Sequence, residues 1–66
     1  MLEWIQQTGE ENYILTKDGR WLYRIRKNNM SLWYVQKLHP TSWKAIDKKQ
    51  FVLREEAMIH AERQCV

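Results

Sequence analysis

The chain has 66 residues, of which 44% are hydrophobic and 29% charged, with a formal net charge of +3. That length holds one small domain, residues 1–66, and folding hides only about 60% of such a chain's surface from water. A buried catalytic pocket with its own supporting shell does not fit in so small a core, so the expectation is a binding protein and not an enzyme.

Residues 1–12 are acidic, with Glu3, Glu10 and Glu11 and no base. They lack the basic start and apolar run of a secretory signal, and the reading is a chain without a leader. No stretch approaches the 18 or so apolar residues of a membrane span. Leu2–Ile5 is too short to decide between a fourth, edge strand and a helical turn. Tyr13-Ile14-Leu15-Thr16 is rich in aromatic and branched residues, and a first strand is expected over 12–17. Asp18-Gly19 then favours a type I′ turn, because glycine accepts a positive φ without a Cβ clash. A second strand is expected over 20–27 and a third over 30–38, joined by Asn28-Asn29 as a weaker turn signal. His39-Pro40 stops the third strand, since proline cannot donate to a ladder. Residues 39–50 read as a loop, with Trp43 and Ile46 pinned to the core. A helix over about 53–64 follows, entered by Phe51 and Val52. Its thin stripe of Leu53, Ala57, Ala61 and Cys65 suits close packing on a sheet. The fold class expected is α+β: a three-stranded antiparallel meander over about 12–38, four-stranded if 2–5 joins it, with one C-terminal helix on one face.

Charge is segregated along this plan. Residues 13–49 carry a net +7 between ends of −3 and −1. A two-residue turn at Asn28-Asn29 would collect Trp21, Tyr23, Ile25, Met30, Leu32, Tyr34 and Leu38 under the helix, with Ile14 and Thr16. The opposite face would then gather Lys17, Arg20, Arg24, Arg26 and Lys37 with Trp33, Tyr13, Leu15, Leu22, Ser31 and Val35, and no acid. An odd-length turn would mix the faces of the third strand but keep Arg20, Arg24 and Arg26 together. Cations neutralise phosphates and release counterions, and rings on the same face stack on bases. The sites expected for nucleic acid are therefore Lys17, Arg20, Arg24, Arg26, Trp33 and Lys37.

The stretches Lys17–Ile25, Trp33-Tyr34-Val35 and Phe51–Ala57 resemble a three-stranded-sheet-plus-helix DNA-binding domain. Such domains stand at the N-terminus of conjugative-transposon and phage integrases and in plant ethylene-response-type transcription factors. The pattern is also similar to that of short prophage-encoded proteins. The resemblance covers about residues 13–64. It implies a sheet that enters the major groove, with Arg20, Arg24, Arg26, Trp33 and Lys37 on DNA, and so DNA ahead of RNA as partner. The chain departs from those proteins in having no catalytic or second domain and in its acidic first dozen residues.

Other chemistry finds little support. His39, His60 and Cys65 are the only soft metal ligands, and His60 and Cys65 are five apart, off the i, i+4 helical spacing. No cofactor or metal is expected. The single cysteine forms no internal disulfide, which fits a reducing cytoplasm. Ser31 and Ser42 lack a nucleophile-elbow context, and two glycines cannot build a phosphate loop. The alternative is a protein-interaction module, such as a phage-type inhibitor or regulator of a host factor. Four tryptophans and three tyrosines are rich in interface-favoured side chains. A homodimer burying Leu15, Leu22, Trp33 and Val35 is a variant of it. Trp4, Trp21 and Trp43 are expected in the core.

Overall fold

A computed structural model describes residues 1–7 and 12–65. Glu10 and Glu11 of the acidic N-terminal stretch lie outside the described residues. Five strands, β1 (Leu2–Gln6), β2 (Asn12–Lys17), β3 (Arg20–Lys27), β4 (Trp33–His39) and β5 (Ser42–Ala45), precede one helix, α1 (Arg54–Arg63). The strands form one antiparallel sheet in the order β1-β2-β3-β4-β5. This corrects the expected three- or four-stranded meander: the sheet has five strands.

The fifth strand comes from the residue expected to end the sheet. Pro40 and Thr41 form a two-residue turn, and His39 pairs with Ser42, Leu38 with Trp43 and Lys37 with Lys44. Proline's fixed φ suits a turn, so the side chain that stops β4 also starts its return. At the other edge Leu2–Gln6 is a strand, with Trp4 opposite Leu15 and Ile5 opposite Ile14.

The Asp18-Gly19 turn forms as its chemistry requires, with φ of 52° and 81°. Lys17 pairs with Arg20 and Thr16 with Trp21. The ladder then slips between Leu15 and Thr16, so that Leu15 faces Tyr23 and Leu22 becomes the extra residue of a β-bulge. The second connection also departs from expectation. Lys27 pairs with Trp33, leaving five residues, 28–32, in the turn. Asn28 organises it: its Oδ1 accepts hydrogen bonds from the backbone N–H groups of Met30 and Leu32, at 2.8 and 3.1 Å. The residue taken left-handed is Ser31, at φ 62°.

These two irregularities decide the core. The bulge brings Tyr13 and Leu15 onto the face of Tyr23 and Ile25, and the odd-length turn adds Trp33 and Val35. Leu15, Ile25 and Val35 are buried there against Ala57 and Ala61, with Tyr23 and Trp33 beside them. Each such aliphatic side chain contributes about 1.5–3 kcal/mol by leaving water. The faces assigned from a two-residue turn are thus corrected: Tyr13, Leu15, Trp33 and Val35 lie under the helix, and Tyr34 and Leu38 lie on the far side. Of the four residues expected in a homodimer interface, Leu15, Trp33 and Val35 are buried within the chain and Leu22 is half-buried.

Helix α1 coincides with the expected 53–64 and lies across β3 and β4. Glu56 accepts a hydrogen bond from the Leu53 backbone N–H at 3.4 Å, and Glu55 and Glu56 stand in the first turn, where the dipole is positive. Arg54 donates to the Tyr13 hydroxyl at 2.8 Å and lies over its ring, fastening this end to β2. Near the other end the Trp4 indole N–H donates to Glu62 at 2.9 Å. Ala57 and Ala61 have no exposed surface and let the helix backbone come close to the sheet. Leu53 and Val52 are exposed instead of packed, and the chain enters the helix from Phe51, which bridges to Trp33.

Candidate nucleic-acid interface

The six residues expected to meet nucleic acid fall into three places. Arg24 and Arg26 point away from the helix, because they alternate with Tyr23 and Ile25. Arg24 donates from Nε to Gln36 Oε1 at 2.9 Å, and its guanidinium lies 4.7 Å from the centre of the Trp43 ring. Arg26 is exposed between Asn12 and Tyr34. Trp33 is only 9% exposed and belongs to the core, 6.1 Å from the Tyr13 ring. Lys17, Arg20 and Lys37 form the third group.

That group gathers where the β2–β3 turn, the β4–β5 turn and the C-terminal end of α1 meet. Lys37 lies on the helix side of β4, since it continues the alternation of Trp33 and Val35. Its neighbour on β3 is Tyr23, and its neighbour on β5 is Lys44. Two ammonium side chains therefore stand directly opposite each other on adjacent strands. Lys17 continues the alternation of Tyr13 and Leu15 on the same side, and Arg20 is its cross-strand partner. Asp18, the acid in this turn, has its carboxylate 3.2 Å from the Met1 amino group. The bulge separates Arg20 from Arg24 and Arg26, which the regular alternation of β3 would have kept together.

Two grooves flank Lys37. One, of about 320 Å³, is lined by Lys17, Trp21, Leu22, Tyr23, Lys37, Leu38, Gln64 and Cys65. The other, of about 380 Å³, is lined by Tyr23, Lys37, His39, Lys44, Ala45, Ile46 and Gln64. Tyr23 and Gln64 belong to both. Burial raises the pKa of the Tyr23 hydroxyl, and the nearby Cys65 raises it further, so it stays a neutral donor. Burial likewise raises the Cys65 thiol; Lys17 pulls it back and Glu62 pushes it up again. A thiol held in that form is a poor nucleophile at neutral pH.

Sequence reasoning missed Lys44, Trp21, Tyr34, Gln36 and Trp43. Lys44 was legible in principle: a Pro-Thr turn flanked by Leu38 and Trp43 marks a hairpin, and that pairing sets Lys44 against Lys37. Trp21 was not, because the bulge at Leu22 leaves no mark in composition or periodicity. Trp21 is 46% exposed, against the expectation that it sits in the core. Among the described residues no cluster of His, Cys, Asp or Glu could hold a metal, and no helix is long and apolar enough to cross a membrane. No family model, curated protein or solved structure matches the chain.

Proposed function

We propose that this chain is a small, non-enzymatic, nucleic-acid-binding protein of the cytoplasm, with DNA ahead of RNA as its partner. The observation that supports this is the cross-strand pair Lys37 and Lys44, with Lys17 and Arg20 at the same end of the sheet. Like charges directly opposite on neighbouring strands repel. The negative end of the α1 dipole offsets part of that repulsion. A phosphate backbone offsets the rest, and binding there releases its condensed counterions.

The test is a titration of labelled oligonucleotides as salt rises. Three or four neutralised phosphates give a log–log slope of about −2 to −4. Lys37→Gln with Lys44→Gln flattens that slope by about 1.5 to 2 without unfolding the chain, since both side chains leave the core intact. Lysines that only complement the helix end give no salt-dependent binding, and absence of binding at low salt sinks the proposal.

A second reading is supported by the face away from the helix. Trp43, Tyr34, Gln36, Arg24 and the exposed Ile5 share it, and Trp, Tyr and Arg dominate interface hot spots. A protein partner, or a second copy of the chain, fits that composition. A light-scattering mass of a monomer at high concentration excludes the second copy.

A further inference from the structure

We infer that β1 pairs along its open edge with the β1 of a second copy, antiparallel and about a two-fold axis at Trp4, so that two sheets become one. This goes beyond the nucleic-acid reading and uses the edge opposite the one that carries Lys44. β1 ends the sheet, and among the described residues no strand lies beyond it. The hydrogen bonds to β2 show which backbone groups are left over. The Gln7 N–H donates to the Asn12 carbonyl at 3.1 Å, and the Thr16 hydroxyl to the Glu3 carbonyl at 3.2 Å. Successive residues of a strand turn their N–H and C=O to opposite sides, so Glu3, Ile5 and Gln7 face β2 and Leu2, Trp4 and Gln6 face outward.

The outward positions are spaced evenly about Trp4, which makes the edge self-complementary. A second β1 run in reverse sets Trp4 opposite Trp4 and Leu2 opposite Gln6, and every outward N–H of both strands meets a carbonyl. The registers one step either way leave some of those groups unpaired, and the one centred on Glu3 also sets two carboxylates face to face. About Trp4, Glu3 faces Ile5 of the other copy instead. Chains guard sheet edges with lysine, proline or short strands. β5 is guarded in this way: it has four residues, includes Lys44 and lies just past Pro40. β1 has five residues and neither lysine nor proline, and its Leu2 and Ile5 are 38% and 40% exposed on opposite faces. With one open edge per chain, association closes at two copies and does not grow into a fibre. A chain of 66 residues has little core of its own, and a second copy adds to its stability. Five residues a side is a small interface, so the dimer is weak and depends on concentration.

Sedimentation equilibrium from micromolar to millimolar chain tests this. The mass should rise from one chain to two and stop there. Gln6→Pro removes an outward N–H and no hydrogen bond to β2, so the far-UV spectrum should stay unchanged. Its loss of a cross-copy hydrogen bond on each side of the axis should weaken the dimer by about 5- to 150-fold. Ile5→Glu sets like charges opposite each other twice and should weaken the dimer by about 2- to 30-fold, whereas Ile5→Lys, facing Glu3, should dimerise at least as tightly as the unchanged chain. Should Gln6→Pro fail to fold, the contrast between the two charged variants gives the same reading. A single-chain mass at every concentration, growth past two chains, or equal dimerisation of Ile5→Glu and Ile5→Lys overturns the inference and leaves the nucleic-acid reading standing.

Discussion

Gly19 holds a φ of 81°, and a Cβ built there meets nothing within 4 Å. The cost of Gly19→Ala is therefore conformational alone, about 1–2 kcal/mol, and Gly19→Asn should cost less because asparagine tolerates the left-handed region. Urea denaturation of the two variants checks the order. A second single-residue device ties the 46–50 segment to the helix: His60 Nε2 lies 2.8 Å from Asp47 Oδ2, with the His60 ring 5.3 Å from that of Phe51. Burial pushes the Asp47 carboxyl up, but hydrogen bonds from His60 and the Lys49 backbone N–H, with the charges of both residues, bring it below its ordinary value. A lowered folded pKa means that the contribution is whole above the ordinary carboxylate range, near 3.9, and is lost as pH falls through the folded value. Asp47→Asn should thus lower the urea midpoint at neutral pH and lose its deficit on acidification. A deficit that stays constant as the pH falls would show that packing and not ionisation is at stake.

Among the elements, α1 and the β4–β5 hairpin are the most informative. Ala57 and Ala61 sit at no exposure against β3 and β4, so Ala61→Leu must lift the helix or bend the sheet, at about 1–3 kcal/mol. Thermal melting with an unchanged far-UV spectrum is the expected readout. In the hairpin, Lys44→Gln removes a like-charge pair and should raise stability by about 0.2–1 kcal/mol at low salt and by less at high salt. The same substitution should weaken oligonucleotide binding. Opposite signs on stability and affinity would mark a pair kept for its ligand; a loss of both would mark a structural one. The helix and the Asp-Gly hairpin were readable from sequence, because each rests on neighbouring residues. The bulge at Leu22 and the five-residue turn at 28–32 were not. Each adds a residue out of alternation, and only the competition between faces for the helix decides whether that pays in burial.

At the scale of the molecule, the central segment's +7 does not become one cationic face. Of its nine cations, Arg24 and Arg26 stand on the far side of the sheet, Lys17, Arg20, Lys37 and Lys44 around the helix's C-terminal end, Lys27 beside Trp33, and Lys48 and Lys49 in the segment before Phe51. Two irregularities in an otherwise regular meander bring about that division. Their effect on packing is also large: they exchange Tyr34 and Leu38 for Trp33 and Val35 in the core, where larger rings and branched side chains meet the two alanines of α1.

Composition and local chemistry alone determined the α+β class, the Asp18-Gly19 turn, the alternation of Arg24 and Arg26 against Tyr23 and Ile25, and the close-packing helix. Tertiary structure decided the strand count, which face each half of β3 and β4 presents, and that Lys37 meets Lys44. The reason is that strand periodicity is two: a single residue added in a turn or bulge reverses every side chain beyond it, and that one residue is chosen by contacts distant in sequence.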